Sequence, residues 1–355
     1  MAGSPTARRT GAIYATDEDV LPILPEARMY DRIAVPIDGT PFGNYALRFA
    51  AAIANRTGAS LRLIHVHVPR HVEHGLFGVA TFRHRVMMGA DPETDRRVFE
   101  AERLSLEEKA REVALETGLE VSSHIISGRV GDALDHETEA WDADLIVMAT
   151  HARVGLERIR YGSIADQVVR HAKMPVLLVR PPDTTLSRPV STSFRHILVT
   201  LDGSHFSEQA LPAAVAMASL FDAKLTLVHV ESPPGDRLFV GDLSAETATA
   251  QQYSSACRRY LEDVVARGGE ILEGVNLEPI VGRFPTVALL EAVVRLEADL
   301  ICMATHGRGG LSRALVGSTA NEILSNTWMP VLLHRPTTVV SAEDSLESMT
   351  ANGIA

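Results

Sequence analysis

Short, nearly continuous apolar runs alternate along this chain with longer stretches of helical periodicity. In the first half the runs fall near residues 32–37, 60–66, 121–127, 144–149 and 175–179, and predict five strands. Helical patterns near 43–57, 95–117, 131–141 and 163–172 separate them. A run such as LIVMA at 145–149 has no polar alternate position, which suits a parallel strand buried on both faces. Regular alternation of strand and helix predicts an α/β fold, an open parallel sheet with right-handed crossovers and helices on both faces. The same series recurs between residues 196 and 334.

The recurrence is a duplication of a whole domain. Residues 151–181 (HARVGLERIRYGSIADQVVRHAKMPVLLVRP) align without gaps on residues 306–336 (HGRGGLSRALVGSTANEILSNTWMPVLLHRP). Upstream, RIAVPIDGT at 32–40 pairs with HILVTLDGS at 196–204, and RLIHV at 62–66 with TLVHV at 226–230. Two domains are therefore expected over residues 31–181 and 195–336. The Pro-, Ser- and Thr-rich stretch 182–194 reads as a linker, and 1–30 and 337–355 read as tails without sustained periodicity.

Composition narrows the function classes. The 355 residues are 46% apolar and 22% charged, enough to bury real cores. A formal charge of -11 argues against nucleic-acid binding through phosphate neutralisation. It leaves room for a small anionic ligand, because backbone N–H groups bind phosphate without a basic patch. Cys257 and Cys302 cannot make a disulfide framework or a zinc site of the usual kind, and Cys302 in an apolar run reads as a buried inert thiol. Neither a leader-like apolar segment nor a membrane-length apolar run is seen, so the expectation is a cytoplasmic protein with no membrane partner.

Candidate chemistry gathers where strands end. In an open parallel sheet the ligand crevice lies beyond the carboxyl ends of the strands, at the reversal of strand order. After the first strand of each copy come Asp38-Gly39-Thr40 and Asp202-Gly203-Ser204. After the third come Gly128 and Gly282; after the fourth, Ala149 and Ala304, with Gly162-Ser163 and Gly317-Ser318-Thr319 opening a helix. Asp-Gly-Thr or Asp-Gly-Ser is also an ordinary turn whose hydroxyl residue caps the next helix. If Thr40 and Ser204 do the capping, the aspartates are released to accept a hydrogen bond from an adenine amino group. A glycine-rich loop before a helix N-terminus offers unpaired N–H groups to a phosphate chain. His151 and His306 read as loop residues, and His71, His74 and His84 fit no compact metal motif.

With these residues in view, the chain resembles the universal stress protein family, whose ATP-binding members carry G-x2-G-x9-G-[S/T]. In the second copy Ala304-Thr-His-Gly307, nine residues and Gly317-Ser318 match except at the first glycine; in the first copy Ala149 and Ala152 replace both early glycines. The resemblance implies a five-stranded sheet per domain in the order 3-2-1-4-5, with the two last strands pairing as a dimer-like contact within the chain. It also implies ATP as ligand, with or without magnesium. Adenine contacts would come from Asp202, after Thr200 and Leu201, and from Val230. Ribose contacts would come from the Gly282 loop. Phosphate contacts would come from Gly307, Arg308, Gly309, Gly317, Ser318 and Thr319, with Met303 and Ala304 against the nucleoside. The equivalents in the first copy are Pro36, Ile37, Asp38, Val66, Gly128, Met148, Ala149, Arg153, Gly162, Ser163 and Ile164. Alanine at a position requiring positive φ costs about 1 kcal/mol, so Ala152 places the second site ahead of the first.

A fast ATPase or kinase would require a phosphate-loop lysine or an equivalent cationic clamp. No G-x4-G-K-[S/T] segment occurs, and Lys109, Lys173 and Lys224 lie away from the expected phosphate end. Nucleotide binding thus ranks above slow hydrolysis or autophosphorylation at Ser318 or Thr319. The alternative is a scaffold without nucleotide, acting as a homodimer and through protein partners.

Overall fold

The computed structural model describes residues 30–69, 92–150, 163–181, 191–232, 243–305 and 316–336. Ten strands form one sheet. The first half supplies β1 (Arg32–Pro36), β2 (Ser60–His67), β3 (Val121–Ser127), β4 (Leu145–Ala149) and β5 (Val176–Val179). The second supplies β6 (His196–Leu201), β7 (Lys224–Glu231), β8 (Asn276–Val281), β9 (Leu300–Ala304) and β10 (Val331–His334). Their order is β3-β2-β1-β4-β5-β10-β9-β6-β7-β8, so each half has the expected 3-2-1-4-5 arrangement.

Pairing is parallel within each half and antiparallel where the halves meet. There Leu177 lies opposite Leu332, flanked by Val176 with Leu333 and Leu178 with Val331. All four residues of β5 are buried, and so are the first three of β10. Two apolar edges have satisfied their backbone groups against each other, which removes the hazard of exposed edge strands.

Nine α-helices are described: α1 (Pro41–Thr57), α2 (Pro92–Thr117), α3 (Val130–Ala140), α4 (Ser163–His171), α5 (His205–Glu208), α6 (Leu211–Phe221), α7 (Leu243–Gly268), α8 (Pro285–Arg295) and α9 (Ser318–Asn326). Helix α1 begins earlier than its periodicity predicts. Proline at 41 suits a first turn, and the Thr40 hydroxyl caps the helix by accepting from the Gly43 N–H. The second half does not repeat this helix unbroken. Pro212 lacks an N–H for the Glu208 carbonyl, and the counterpart divides into α5 and α6.

Each half also fixes the start of its fourth strand to the start of its first. Asp144 accepts from the backbone N–H groups of Asp31 and Arg32 at 2.8 and 2.9 Å. Asp299 does the same for Arg195 and His196. The core is shared across the sheet. On one face Phe49 stacks on Phe194 with centroids 6.1 Å apart, and Phe194 meets Phe221 edge-on at 5.0 Å. Phe49 and Phe221 belong to different halves, so α1 and α6 close one continuous apolar layer. The opposite face is packed by α3, α4, α8 and α9 through Leu134, Val168, Val293 and Ile323.

Candidate functional site

In each half the chain turns one way from its first strand and the other way from its fourth, opening a crevice at the carboxyl ends of β1 and β4 and of β6 and β9. In the second half Thr200 lies beside Met303, and Leu201 beside His229. Met303 and Ala304 are buried, with Asp202 half-buried just beyond. On the other side Val230 pairs with Ile280, and the Gly282 N–H donates to the Glu231 carbonyl at 3.0 Å. Gly317 donates its N–H to the Thr305 carbonyl at 2.7 Å, holding the first turn of α9, with Ser318 and Thr319, against the end of β9.

The first half repeats the frame. The Ile37 N–H donates to Ile64 at 2.9 Å and that of Gly128 to His67 at 3.1 Å. Pro36 and Val66 are half-buried, Ile37 and Met148 buried, Ala149 half-buried, and Asp38 exposed. Ser163 opens α4, whose next residue, Ile164, is exposed. Gly307, Arg308, Gly309, Arg153, Gly162, His151, His306 and Ala152 lie outside the described residues, as do His71, His74 and His84.

Thr40 and Ser204 are the caps, as their position predicts, yet the aspartates are not thereby released from the turn. Asp38 Oδ1 accepts from the Thr40 N–H at 2.9 Å and the Thr40 hydroxyl at 2.6 Å. Asp202 Oδ1 accepts from the Ser204 N–H at 3.0 Å and its hydroxyl at 2.6 Å. The hydroxyl donates to the carboxylate and accepts from the helix, so cap and aspartate act together. Gly39 and Gly203, with φ of 75° and 83°, supply the left-handed residue inside each turn. Close packing reinforces the first turn: a Cβ on Gly43 would stand 2.6 Å from Asp38 Oδ1.

The Gly317 backbone is not left-handed, with φ of -55°. Its value is closeness, since an added Cβ would lie 3.3 Å from the Thr305 carbonyl oxygen. Sequence reasoning passed over a histidine in each half. His65 Nδ1 bonds the Ile37 carbonyl at 2.9 Å, and His229 Nδ1 that of Leu201 at 2.8 Å. Each ring thus holds the residue immediately before the aspartate. The signal was present, because both histidines stand inside the repeated RLIHV and TLVHV landmarks.

Other charged groups either have partners of their own or lie away from this end. Buried Glu208 takes both terminal nitrogens of Arg267 at 2.9 Å and the Tyr260 hydroxyl at 3.1 Å. Burial, and then the nearby Glu208, pushes the Tyr260 hydroxyl well above its ordinary pKa. Lys109 and Lys173 pair with Glu112 and Glu139, and Lys224 opens β7 at the amino end of the sheet. Cys302 is buried in β9, and burial raises its thiol far above the usual range.

Two open-sheet α/β units joined through their last strands, each with a crevice at its strand reversal, define the class of protein. The sequence profile of the universal stress protein family matches residues 29–180 and 193–335, and the chain belongs to that family. A Mycobacterium tuberculosis universal stress protein is 28% identical over 200 residues, covering 55% of this chain and 62% of that protein. The chain thus matches less than two thirds of that relative's length. A Mycolicibacterium smegmatis universal stress protein is 24% identical over 305 residues, which is 86% of this chain and 97% of that one. The crystal structure of a putative universal stress protein from Pseudomonas aeruginosa superposes with a TM-score of 0.57 at 21% identity. That superposition covers 90% of this chain and 98% of the other, and it speaks for the shared fold.

Among the described residues, no helix is long and apolar enough to cross a membrane.

Proposed function

We propose that the second half binds an adenine nucleotide, ATP with or without magnesium, and that the chain is a cytoplasmic regulator whose partner contacts depend on the bound nucleotide. The observation that carries this reading is the 2.7 Å bond from Gly317 to Thr305. It sets a helix N-terminus beside the crevice that Asp202 borders, which supports base and phosphate recognition at one end of one strand reversal. The first-turn N–H groups of α9, which have no partner within the helix, favour an anion there, by about 0.3 to 1 kcal/mol from the helix dipole alone. Asp202, already oriented by Ser204, is the acceptor for the adenine amino group. The first half has the same frame, with Ala149 and Ala152 in place of the early glycines. It ranks second as a nucleotide site. Binding without fast turnover fits the absence of a phosphate-loop lysine from the sequence.

Native purification, denaturation and chromatography of the released nucleotide test the reading. About one ATP or ADP per chain supports an occupied second site. About two per chain means that the alanines of the first half are tolerated. Gly317→Trp should remove the nucleotide of the second half while the fold persists, and unchanged affinity in that variant would sink the assignment.

A second reading rests on α8 and the residue before it. Phe284, Val287 and Val294 are 63%, 52% and 78% exposed, an apolar face of the kind that partners cover. On this reading the chain is a scaffold, acting as a homodimer or through other proteins. No nucleotide after purification, and no binding on titration with Mg-ATP, would favour it.

A further inference from the structure

Beneath α7 the second half brings together three side chains of different ligand chemistry. His229 and Glu231 stand two residues apart on β7, so both project from the same face of the strand. Cys257 comes down onto them from α7. One ligand atom from each, the imidazole nitrogen, the carboxylate oxygen and the thiol sulfur, lies within 4.8 Å of the other two. Cys257 and His229 are buried, and Glu231 is half-buried.

The hydrogen bonding of the histidine determines which nitrogen faces the cluster. Nδ1 lies 2.8 Å from the Leu201 carbonyl, which can only accept, so Nδ1 carries the proton. In a neutral ring Nε2 then presents its lone pair, and it does so 3.3 Å from Glu231 Oε2. Nε2 and the carboxylate oxygen thus face each other across a gap that a cation would bridge. A backbone carbonyl fixing the far nitrogen is also the support that metal-bound histidines commonly have.

We infer that His229, Glu231 and Cys257 form a binding site for a borderline-soft divalent cation of the zinc class. Thiolate and imidazole disfavour magnesium and calcium, whose ligands are oxygens. On binding, the Cys257 thiol gives its proton to solvent, and its hydrogen bond to the Ile280 carbonyl, 3.6 Å away, is exchanged for a metal–sulfur bond. One carboxylate, one thiolate and a dication then sum to zero charge, which suits a site closed off by α7. Tetrahedral zinc with bonds of about 2.0 Å to nitrogen or oxygen and about 2.3 Å to sulfur places these three ligand atoms about 3.3 to 3.5 Å apart. The histidine–glutamate edge already has this length, and the sulfur lies within 4.8 Å of both. Three protein ligands leave a fourth position for water.

The first half provides an internal contrast. Its strand positions hold His65 and His67, and two carboxylates reach them from α2, Glu102 between the two rings and Asp95 3.5 Å from His67 Nε2. Glu102 Oε2 sits 2.7 Å from His67 Nδ1 and 3.6 Å from His65 Nε2, a carboxylate shared by two rings. No thiol is present there.

The test is titration of the chelator-treated full-length chain with Zn2+ against a chromophoric competitor, and in parallel with Co2+. One ion per chain is expected, with a thiolate-to-cobalt charge-transfer band in the near ultraviolet and the strong visible bands of tetrahedral cobalt. Cys257→Ser should abolish the charge-transfer band and weaken Zn2+ binding at least about a hundredfold, beyond the 10- to 100-fold cost of losing an outer-shell partner. His67→Gln should change neither. Circular dichroism of the serine variant separates loss of the ligand from loss of the fold, and His229→Gln provides a second ligand deletion if the serine variant unfolds. Cobalt binding without the charge-transfer band, or zinc held as tightly by Cys257→Ser as by the parent, would overturn the assignment.

Discussion

The guanidinium of Arg180, in the first half, donates a 2.6 Å hydrogen bond to the carbonyl of Thr327, in the second. The same group reaches Leu324 at 2.8 Å, so it caps the carboxyl end of α9 from across the antiparallel seam. The second half returns the contact: Arg335 donates to the carbonyl of His171, the last residue of α4, at 3.0 Å. Burial lowers the pKa of Arg180 from the ordinary arginine value. A half-buried cation on two helix-end carbonyls is worth more than a surface pair. Arg180→Ala should therefore cost about 2 kcal/mol, read as a lower urea midpoint at unchanged slope. Arg180→Lys should recover only part of it, because lysine has a single donor nitrogen where arginine sets two, one on each carbonyl.

Asp135 on α3 works against the fold at neutral pH. Its carboxyl is pushed up to about 6, first by burial and then by Asp132 and Glu139, with His171 and Arg335 pulling the other way. Among the described residues Oδ1 has no hydrogen-bond partner. The folded chain holds this proton more tightly than the unfolded chain, so its contribution to stability falls as pH rises from about 4 to about 6. Asp135→Asn should stabilise the protein by about 1 kcal/mol at pH 7 after allowance for solvent screening. The gain should vanish below pH 4, where the parent is already neutral, and unfolding midpoints of both proteins across that range decide the matter.

His334, at the end of β10, has the opposite sign. Burial lowers its pKa from 6.5 to about 4. The unfolded chain takes up the proton first, so stability is full above pH 6.5 and declines as the pH falls toward 4. By then the loss reaches on the order of 3 kcal/mol. The corresponding residue of the first half is Val179. His334→Val should flatten this acid dependence relative to the parent, and an unchanged difference between pH 7 and pH 4.5 would refute the account.

Gly43 and Asp38 form a tight pair in the first half. Gly43→Ala would place a methyl 2.6 Å from the carboxylate oxygen and 3.1 Å from the Asp38 amide nitrogen. The Asp38-Thr40 turn must then shift, at a cost of about 1 to 3 kcal/mol. Nucleotide bound by the second half should be unaffected, so stability measured beside nucleotide content separates the two crevices.

Much was legible in the pattern of residues alone. Period and repeat determined two α/β units and where their strands lie, because a strand buried on both faces must be apolar throughout and a helix must not be. Thr40 and Ser204 as caps, and Cys302 as a buried thiol, followed from local chemistry. The strand order and the pairing of the two last strands came from the family resemblance; that this pairing is antiparallel came from the structure. What only the tertiary structure decided is how residues far apart in the chain meet. Asp38 and Asp202 looked released from their turns because a sequence does not show that the capping hydroxyl donates its own proton back to them. The histidines inside the repeated strand motif gave no sign of their acceptors, Leu201 at the end of the neighbouring strand and Ile37 just beyond its own. Cys257 sits on a helix that the sequence places after β7, and its distance from His229 follows from how α7 packs over that strand. Arg180 and Arg335 reach helices of the opposite half. Local pattern determines which face of an element is apolar; only packing determines which polar groups are then left to meet.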